Sequence, residues 1–182
     1  MHLPFRIFLD TNVVNFILDY GSCIFEGEEP PESLSEVDLA DLKALHLIFL
    51  TGERAQWELA VSPLTFQEIS QTTDLKRRRD LESWFGEVWC YWRSFFAEDQ
   101  NLNDVYVQEI ELELASSPLL QCFPDESDRA LICHAIAYRC DAFCTRDRKT
   151  ILKKLKNAPK LPLDVLSPSE WGERIWAARH RF

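Results

Sequence analysis

The chain has 182 residues, a length typical of one domain, and its 46% hydrophobic content excludes both intrinsic disorder and a small disulfide-stapled protein. The net charge of −10 disfavours a nucleic-acid partner, but residues 145–182 reverse that balance, with ten basic residues against four acids. The apolar stretches are too short for a membrane helix and residues 1–10 lack the apolar region of an export signal, so we expect a cytoplasmic protein with no membrane association and reduced cysteines.

The first quarter of the chain predicts a strand and two helices. A short apolar run at residues 5–9 predicts a strand that ends at Asp10, and apolar residues at helical spacing follow from Val13. Residues 21–36 contain two prolines and five acids, which is typical of an exposed loop. An amphipathic helix is predicted from Asp38 to about residue 52.

The middle of the chain predicts a second strand and three helices. The strand covers residues 59–61, and Ser62 followed by Pro63 is a favourable start for a helix that carries Glu68. A long helix at 76–97 places three tryptophans on one apolar stripe, as in a core helix or a homodimer face. Another helix is predicted at residues 105–114.

The last third predicts two more strands between helices. Residues 124–127 open a helix, residues 142–144 form a strand, and residues 149–155 form a basic helix. A strand at 163–166 and a terminal helix that begins at Ser167 complete the chain. Strands that alternate with helices indicate an α/β fold with a parallel sheet.

Four acidic residues occupy positions that can meet. Asp10 and Asp147 directly follow predicted strands, whereas Glu68 and Asp128 fall in the first turns of predicted helices. In a parallel sheet these positions share the edge at which the strands end, where ligands bind. Taken alone, each acid has a simpler explanation, because acids are favoured as helix caps and in first helical turns.

The context of these acids resembles the PIN domain family of metal-dependent ribonucleases. The resemblance is carried by FRIFLDTNV (5–13), SPLTFQEIS (62–70), DRALICHA (128–135), DAFCTRDRKTIL (141–152) and LDVLSPSEW (163–171). The strand-Asp-Thr-Asn and strand-Thr-Arg-Asp segments are the most specific parts. The resemblance implies a three-layer α/β/α PIN-like fold with a central parallel sheet, as one domain over residues 1–182. The acidic loop at 21–36 and the Trp-rich helix at 76–97 exceed what that core requires.

The resemblance also implies a site of three or four acids that binds Mg²⁺ or Mn²⁺ and hydrolyses single-stranded RNA. The matching acids, each catalytic and metal-binding, are Asp10, Glu68, Asp128 and Asp147. Asn12 and Thr145 match supporting polar positions, and Asp125 could share or replace the role of Asp128. Hard divalent cations choose carboxylate oxygens and water, which agrees with a set of ligands that has no His or Cys.

Partners can be predicted from the basic residues and from the family. We expect RNA phosphates to be contacted by Arg146, Arg148, Lys149 and Lys153, a set that begins beside Asp147. Many small stand-alone members of the family are toxins of toxin–antitoxin pairs, so an antitoxin protein is a further candidate partner.

The main alternative is a catalytically weak PIN-like module that binds protein or RNA through the Trp-rich helix. Intact acids at all four positions favour the enzyme. A haloacid-dehalogenase-type phosphatase would need a second acid at position 12, where the chain has Asn. Zinc binding by Cys133, His134, Cys140 and Cys144 is disfavoured, because their spacing matches no common finger and core packing explains them.

Overall fold

Four parallel strands form the centre of the protein, in the order β2-β1-β3-β4. We describe it from a computed structural model, which covers residues 3–99, 102–115 and 117–179, without the side chains of residues 53, 54, 156 and 157. The strands are β1 (Arg6–Leu9), β2 (Glu58–Ala60), β3 (Ala142–Cys144) and β4 (Asp164–Leu166). The predicted α/β class, the parallel sheet and the positions of these strands are confirmed.

Seven α-helices connect and cover the strands over the described residues. They are α1 (Thr11–Asp19), α2 (Glu36–Ala55), α3 (Pro63–Ser70), α4 (Leu75–Glu98), α5 (Asp104–Ala115), α6 (Glu126–Ala137) and α7 (Pro168–Arg179). The predicted start of α3 is confirmed, since the Ser62 hydroxyl accepts a hydrogen bond from the Leu64 N–H at 3.1 Å. At α7, Ser167 and Glu170 cap each other's backbone N–H groups at 3.2 and 2.7 Å.

Two hydrophobic cores lie on opposite faces of the sheet. Ile7 and Leu9 of β1 point to one face, where they pack with apolar residues of α1, α2 and α7. Phe8 points to the other face, where it joins residues of α5, α6 and the second half of α4. This alternation is the two-residue period of a strand that is buried on both sides. Helices therefore cover both faces of the sheet.

The Trp-rich helix α4 is a core helix, as its apolar stripe predicts. Trp92 is fully buried, and its ring lies 5.3 Å from that of Tyr138 and 6.0 Å from that of Phe96, between centroids. The first half of α4 instead contributes Leu81 and Phe85 to the core on the opposite face. The helix thus spans both cores along one side of the molecule.

One local prediction was wrong, and another holds only in part. Residues 149–155 do not form a helix: the Leu152 N–H bonds to the carbonyl of Asp147, five residues back, and only a 3₁₀ turn forms at Lys154–Asn157. Pro159 and Pro162 follow this segment and prevent a helix from continuing beyond it. The predicted loop at residues 21–36 is exposed over most of its length, but Ser22–Glu26 form a π-helical turn in which the buried Ile24 packs against α2.

The cysteines are free thiols, and most are buried, as predicted. Burial raises the pKa of Cys133 to about 12, so this thiol is neutral and packs like a small apolar residue. Among the residues that the structure covers, no helix is both long and apolar enough to cross a membrane.

Candidate functional site

The carboxyl ends of β1 and β3 form the topological switch point of the sheet. From β1 the chain moves to β2 on one side, and it returns to β3 on the other side. In α/β proteins, ligands bind in the crevice at such a point. Asp10 directly follows β1, and its N–H donates to the carbonyl of Cys144 at 3.0 Å, which joins it to the end of β3. Thr145 and Asp147 follow β3 at the same edge.

Asp10 is a buried carboxylate held by two donors. Asp10 is only 3% exposed to solvent. Its Oδ2 accepts hydrogen bonds from Asn12 Nδ2 at 2.6 Å and from the Thr145 hydroxyl at 2.5 Å. Burial, together with the charges of Asp128 and Glu68, raises the pKa of Asp10 to about 7, against the lowering effect of the Thr145 hydrogen bond. Three predicted site acids are therefore close enough to interact electrostatically.

Thr150 connects two of the predicted acids, Asp128 and Asp147, at this edge. Its hydroxyl contacts both Asp147 Oδ2 and Asp128 Oδ2, the latter at 3.1 Å. Burial raises the pKa of Asp128, and the charges of Asp125, Asp147 and Glu68 add to this effect, while the Thr150 hydrogen bond opposes it.

Asp147 has the opposite electrostatic balance. Burial would raise its pKa, but hydrogen bonds from the Thr150 hydroxyl and from the backbone N–H groups of Thr150 and Lys149 outweigh it, so the pKa lies below the usual value. Asp147 is therefore ionised at neutral pH beside Asp128, whose charged form is disfavoured. The two carboxylates that contact Thr150 therefore have pKa values shifted in opposite directions.

Glu68 and Asp125 complete the predicted acidic set. Glu68 lies half-buried on α3 and lines a surface cavity of about 260 Å³ together with Leu64, Gln71 and Glu126. Asp125 caps α6, because its carboxylate accepts the Ser127 N–H at 2.8 Å. A larger cavity of about 510 Å³ lies at the opposite, amino-terminal edge of the sheet, and one of about 410 Å³ adjoins the Glu68 cavity and shares Leu64, Glu126 and Ala130 with it.

The carboxylate oxygens at this edge are suitable ligands for Mg²⁺ or Mn²⁺, but their positions do not form a complete coordination site. Over the described residues, no group of three or more Asp, Glu, His or Cys side chains is placed to hold a metal ion. Mg²⁺, however, keeps several waters and is commonly bound by one or two carboxylates together with substrate phosphates. The pair Asp128 and Asp147, with Asp10 beside it, fits that mode because it supplies oxygen donors and unbalanced negative charge.

The basic residues predicted to contact RNA fall into two groups. Arg146 forms ion pairs with Asp38 and Asp41, and Arg148 forms one with Asp41 at 2.8 Å. The side chains of Lys149 and Lys153 are exposed. The structure therefore commits the two arginines to contacts within the protein and leaves the lysines at the surface.

Sequence reasoning missed Thr150 and Asp41. Thr150 lies within one of the motif blocks, three residues after Asp147, a spacing at which a side chain can reach back to an acid. Asp41 is fully buried in α2, one turn before the buried Leu45 on the apolar face of that helix. A charged residue on the buried stripe of a helix was the available signal, because such a residue requires a partner.

Comparisons of the chain with protein-family models, with curated proteins and with solved structures gave no match. The function of the site is therefore inferred from its geometry and from the motif resemblance.

Proposed function

We propose that this protein is a Mg²⁺- or Mn²⁺-dependent endoribonuclease with a three-layer, PIN-like fold that hydrolyses phosphodiester bonds of single-stranded RNA. The observation that carries the proposal is the convergence of Asp10, Asp128 and Asp147 at the switch point of the sheet, where the hydroxyls of Thr145 and Thr150 connect them. These residues come from separate elements of the chain, and the motif resemblance assigns the same acids. Clustering of acids at one ligand edge stabilises bound cations and destabilises the protein without them.

The chemistry assigns separate roles to the residues of the chain. A bound divalent ion would orient and acidify the attacking water and stabilise the leaving oxygen. Asp128 and Asp147 would hold the ion, with Asp10 as a further ligand. Thr145 and Asn12 orient the carboxylate of Asp10 through Oδ2.

Two further features of the site fit an RNA strand. The cavity beside Glu68 leaves room for substrate next to the acids. Lys149 and Lys153 offer exposed ammonium groups to the RNA backbone close to Asp147.

The toxin role in a toxin–antitoxin pair is a narrower form of the same proposal, with an antitoxin protein as partner and the cytoplasm as the compartment. It is supported by the family resemblance alone.

A catalytically weak module that binds RNA or protein is the alternative function. One observation favours it, namely that no three acidic side chains of the described residues close around a metal position. Against it, the large side chains of α4 that would form its contact face pack into the cores, where Trp92 and Phe96 are buried. The two functions differ in a simple property, metal-dependent cleavage.

The test is cleavage of a mixed pool of single-stranded RNA by the wild type with Mn²⁺ and with EDTA. We expect cleavage with Mn²⁺ alone, and none by Asp10→Asn or Asp147→Asn, whose folds remain intact by circular dichroism. The matched control is Asp164→Asn, which removes an exposed carboxylate paired with Arg174 at the start of β4, and it should retain wild-type activity. Activity in EDTA, or wild-type activity in either site variant, contradicts the proposal.

A further inference from the structure

Asp41 is a fully buried carboxylate that lies next to the candidate site without belonging to it. Its oxygens accept hydrogen bonds from Arg146 Nε at 3.2 Å, from Arg148 Nη2 at 2.8 and 2.9 Å, and from the Ser169 N–H at 3.2 Å. A buried charge is tolerated only when it is paired and hydrogen-bonded, and Asp41 meets both conditions. The carboxylate thereby ties α2 to the segment after β3 and to the first turn of α7.

Arg146 carries this connection to the acids. Its guanidinium contacts Asp38 as well as Asp41 and stacks over the ring of Phe16, 3.5 Å from the centroid. The side chain is thus held on three sides. Its backbone lies between Thr145 and Asp147, so the position of the guanidinium sets the path of the segment that carries both residues.

The backbone N–H of Arg146 also determines the orientation of Asn12. It donates to Asn12 Oδ1 at 2.8 Å, and because that oxygen is the acceptor, Asn12 Nδ2 faces Asp10 Oδ2 at 2.6 Å. Asp41 is therefore connected to Asp10 through the side chain and backbone of Arg146 and the amide of Asn12.

We propose that Asp41 is a positioning residue for the metal-binding acids: by holding the side chain of Arg146, it fixes Thr145, Asp147 and the amide of Asn12 in the places from which they organise the site. This inference rests on the proposed function. It also gives a reason for burying a charge in α2, where an apolar residue would pack at lower cost. An ion pair that served only the fold would stabilise the protein without affecting metal binding.

The experiment compares Asp41→Asn with Glu58→Gln by calorimetric titration of Mn²⁺ and by thermal melting. Glu58 is a matched control, because its carboxylate is 13% exposed and pairs with Arg6 at 2.5 Å at the amino-terminal edge of the sheet, away from the acids. Both variants should melt at a lower temperature than the wild type. Only Asp41→Asn should weaken Mn²⁺ binding, by about tenfold, the low end of the loss seen when residues that orient metal ligands are changed.

Kinetics give a second measure, in which Asp41→Asn lowers kcat for RNA cleavage and leaves KM close to the wild-type value. If Asp41→Asn does not fold, Arg146→Gln tests the same connection, because Arg148 still neutralises Asp41 in that variant. Wild-type Mn²⁺ affinity in both variants, or an equal loss in Glu58→Gln, overturns the inference. A wild type that binds Mn²⁺ but cleaves no RNA overturns the proposed function and leaves the positioning role measurable by titration.

Discussion

At the scale of single residues, the burial of Asp10 has a consequence for stability. Its pKa is about 7 in the folded protein, compared with 3.8 for an unperturbed aspartate, and burial is the largest cause. Between these two values the folded state binds a proton that the unfolded state has released. Because the folded state binds more protons there, the free energy of unfolding decreases as the pH rises from about 4 to about 7.

We predict that this decrease disappears in Asp10→Asn. The shift of about three pKa units corresponds to roughly 4 kcal/mol, lost by the metal-free wild type as Asp10 ionises. The measurement is urea unfolding in EDTA at about pH 5 and about pH 7.5 for both proteins. The difference between the two proteins isolates Asp10 from the other titrating groups, and Asp10→Asn should be the more stable at the higher pH. Parallel pH profiles would show that Asp10 is not held in an unfavourable charged state.

The residues of the site differ in how far the sequence could predict them. Asp10 and Asp147 could be placed because each follows a short apolar run, and parallel strands bring their carboxyl ends to one edge. The helical stripe of α2 could indicate a buried Asp41 but not its partner, because Arg146 is 105 residues away along the chain and no local pattern reports such a contact. For the same reason, the sequence could not show that Arg146 and Arg148, predicted to contact RNA, pair with Asp41.

At the scale of elements, a substitution in α4 can test whether this helix belongs to the core or forms a binding face. Trp92→Ala should lower the free energy of unfolding by about 3–5 kcal/mol, because it leaves a cavity among Phe96, Tyr138 and their neighbours. Urea unfolding measures this loss. The control is Trp176→Ala on α7, where the indole is 59% exposed and its removal should cost less. An equal, small effect of both changes would mean that α4 is not a core element.

Element boundaries were predictable where capping residues set them and not where tertiary contacts did. Ser62 and Ser167 start their helices through side-chain hydrogen bonds that local sequence encodes. The turn at Ser22–Glu26 forms because Phe25 and Ile24 reach α2, where the ring of Phe25 lies 4.9 Å from that of Phe49. This contact spans a stretch of chain that, by composition alone, looked like an exposed loop.

At the scale of the whole molecule, the alternation of strands and helices predicted a parallel sheet but not the strand order. The order β2-β1-β3-β4 depends on pairs such as Ile7 with Ala142, which are distant in sequence. That order makes β1 and β3 neighbours and creates the switch point between them, so the sequence could predict the edge on which the acids lie but not that Asp10 and Asp147 follow adjacent strands.

The positions of the acidic and basic side chains in the fold determine how the protein can attract RNA. The acids at the switch point repel RNA phosphates unless a cation lies between them, since like charges interact strongly where burial limits screening. The basic residues after Asp147 could offset this repulsion, but Arg146 and Arg148 are paired with acids of α2. Attraction of RNA near the site therefore depends on exposed lysines such as Lys149 and Lys153.

We therefore predict that replacing Lys149 and Lys153 together by Ala weakens RNA binding and flattens its dependence on salt. Each phosphate contact contributes about 0.7 to the logarithmic salt slope for a single strand, so the slope should fall by up to about 1.4. The measurement is fluorescence anisotropy of a labelled single-stranded RNA at several salt concentrations, in the Asp10→Asn background so that no cleavage occurs. The control replaces Lys43 and Lys160, which are also exposed, and produces the same change in net charge elsewhere on the surface. If both double variants reduce the slope equally, RNA responds to the total charge and the lysines beside the site make no specific contact; if neither does, the basic end is a solvated surface.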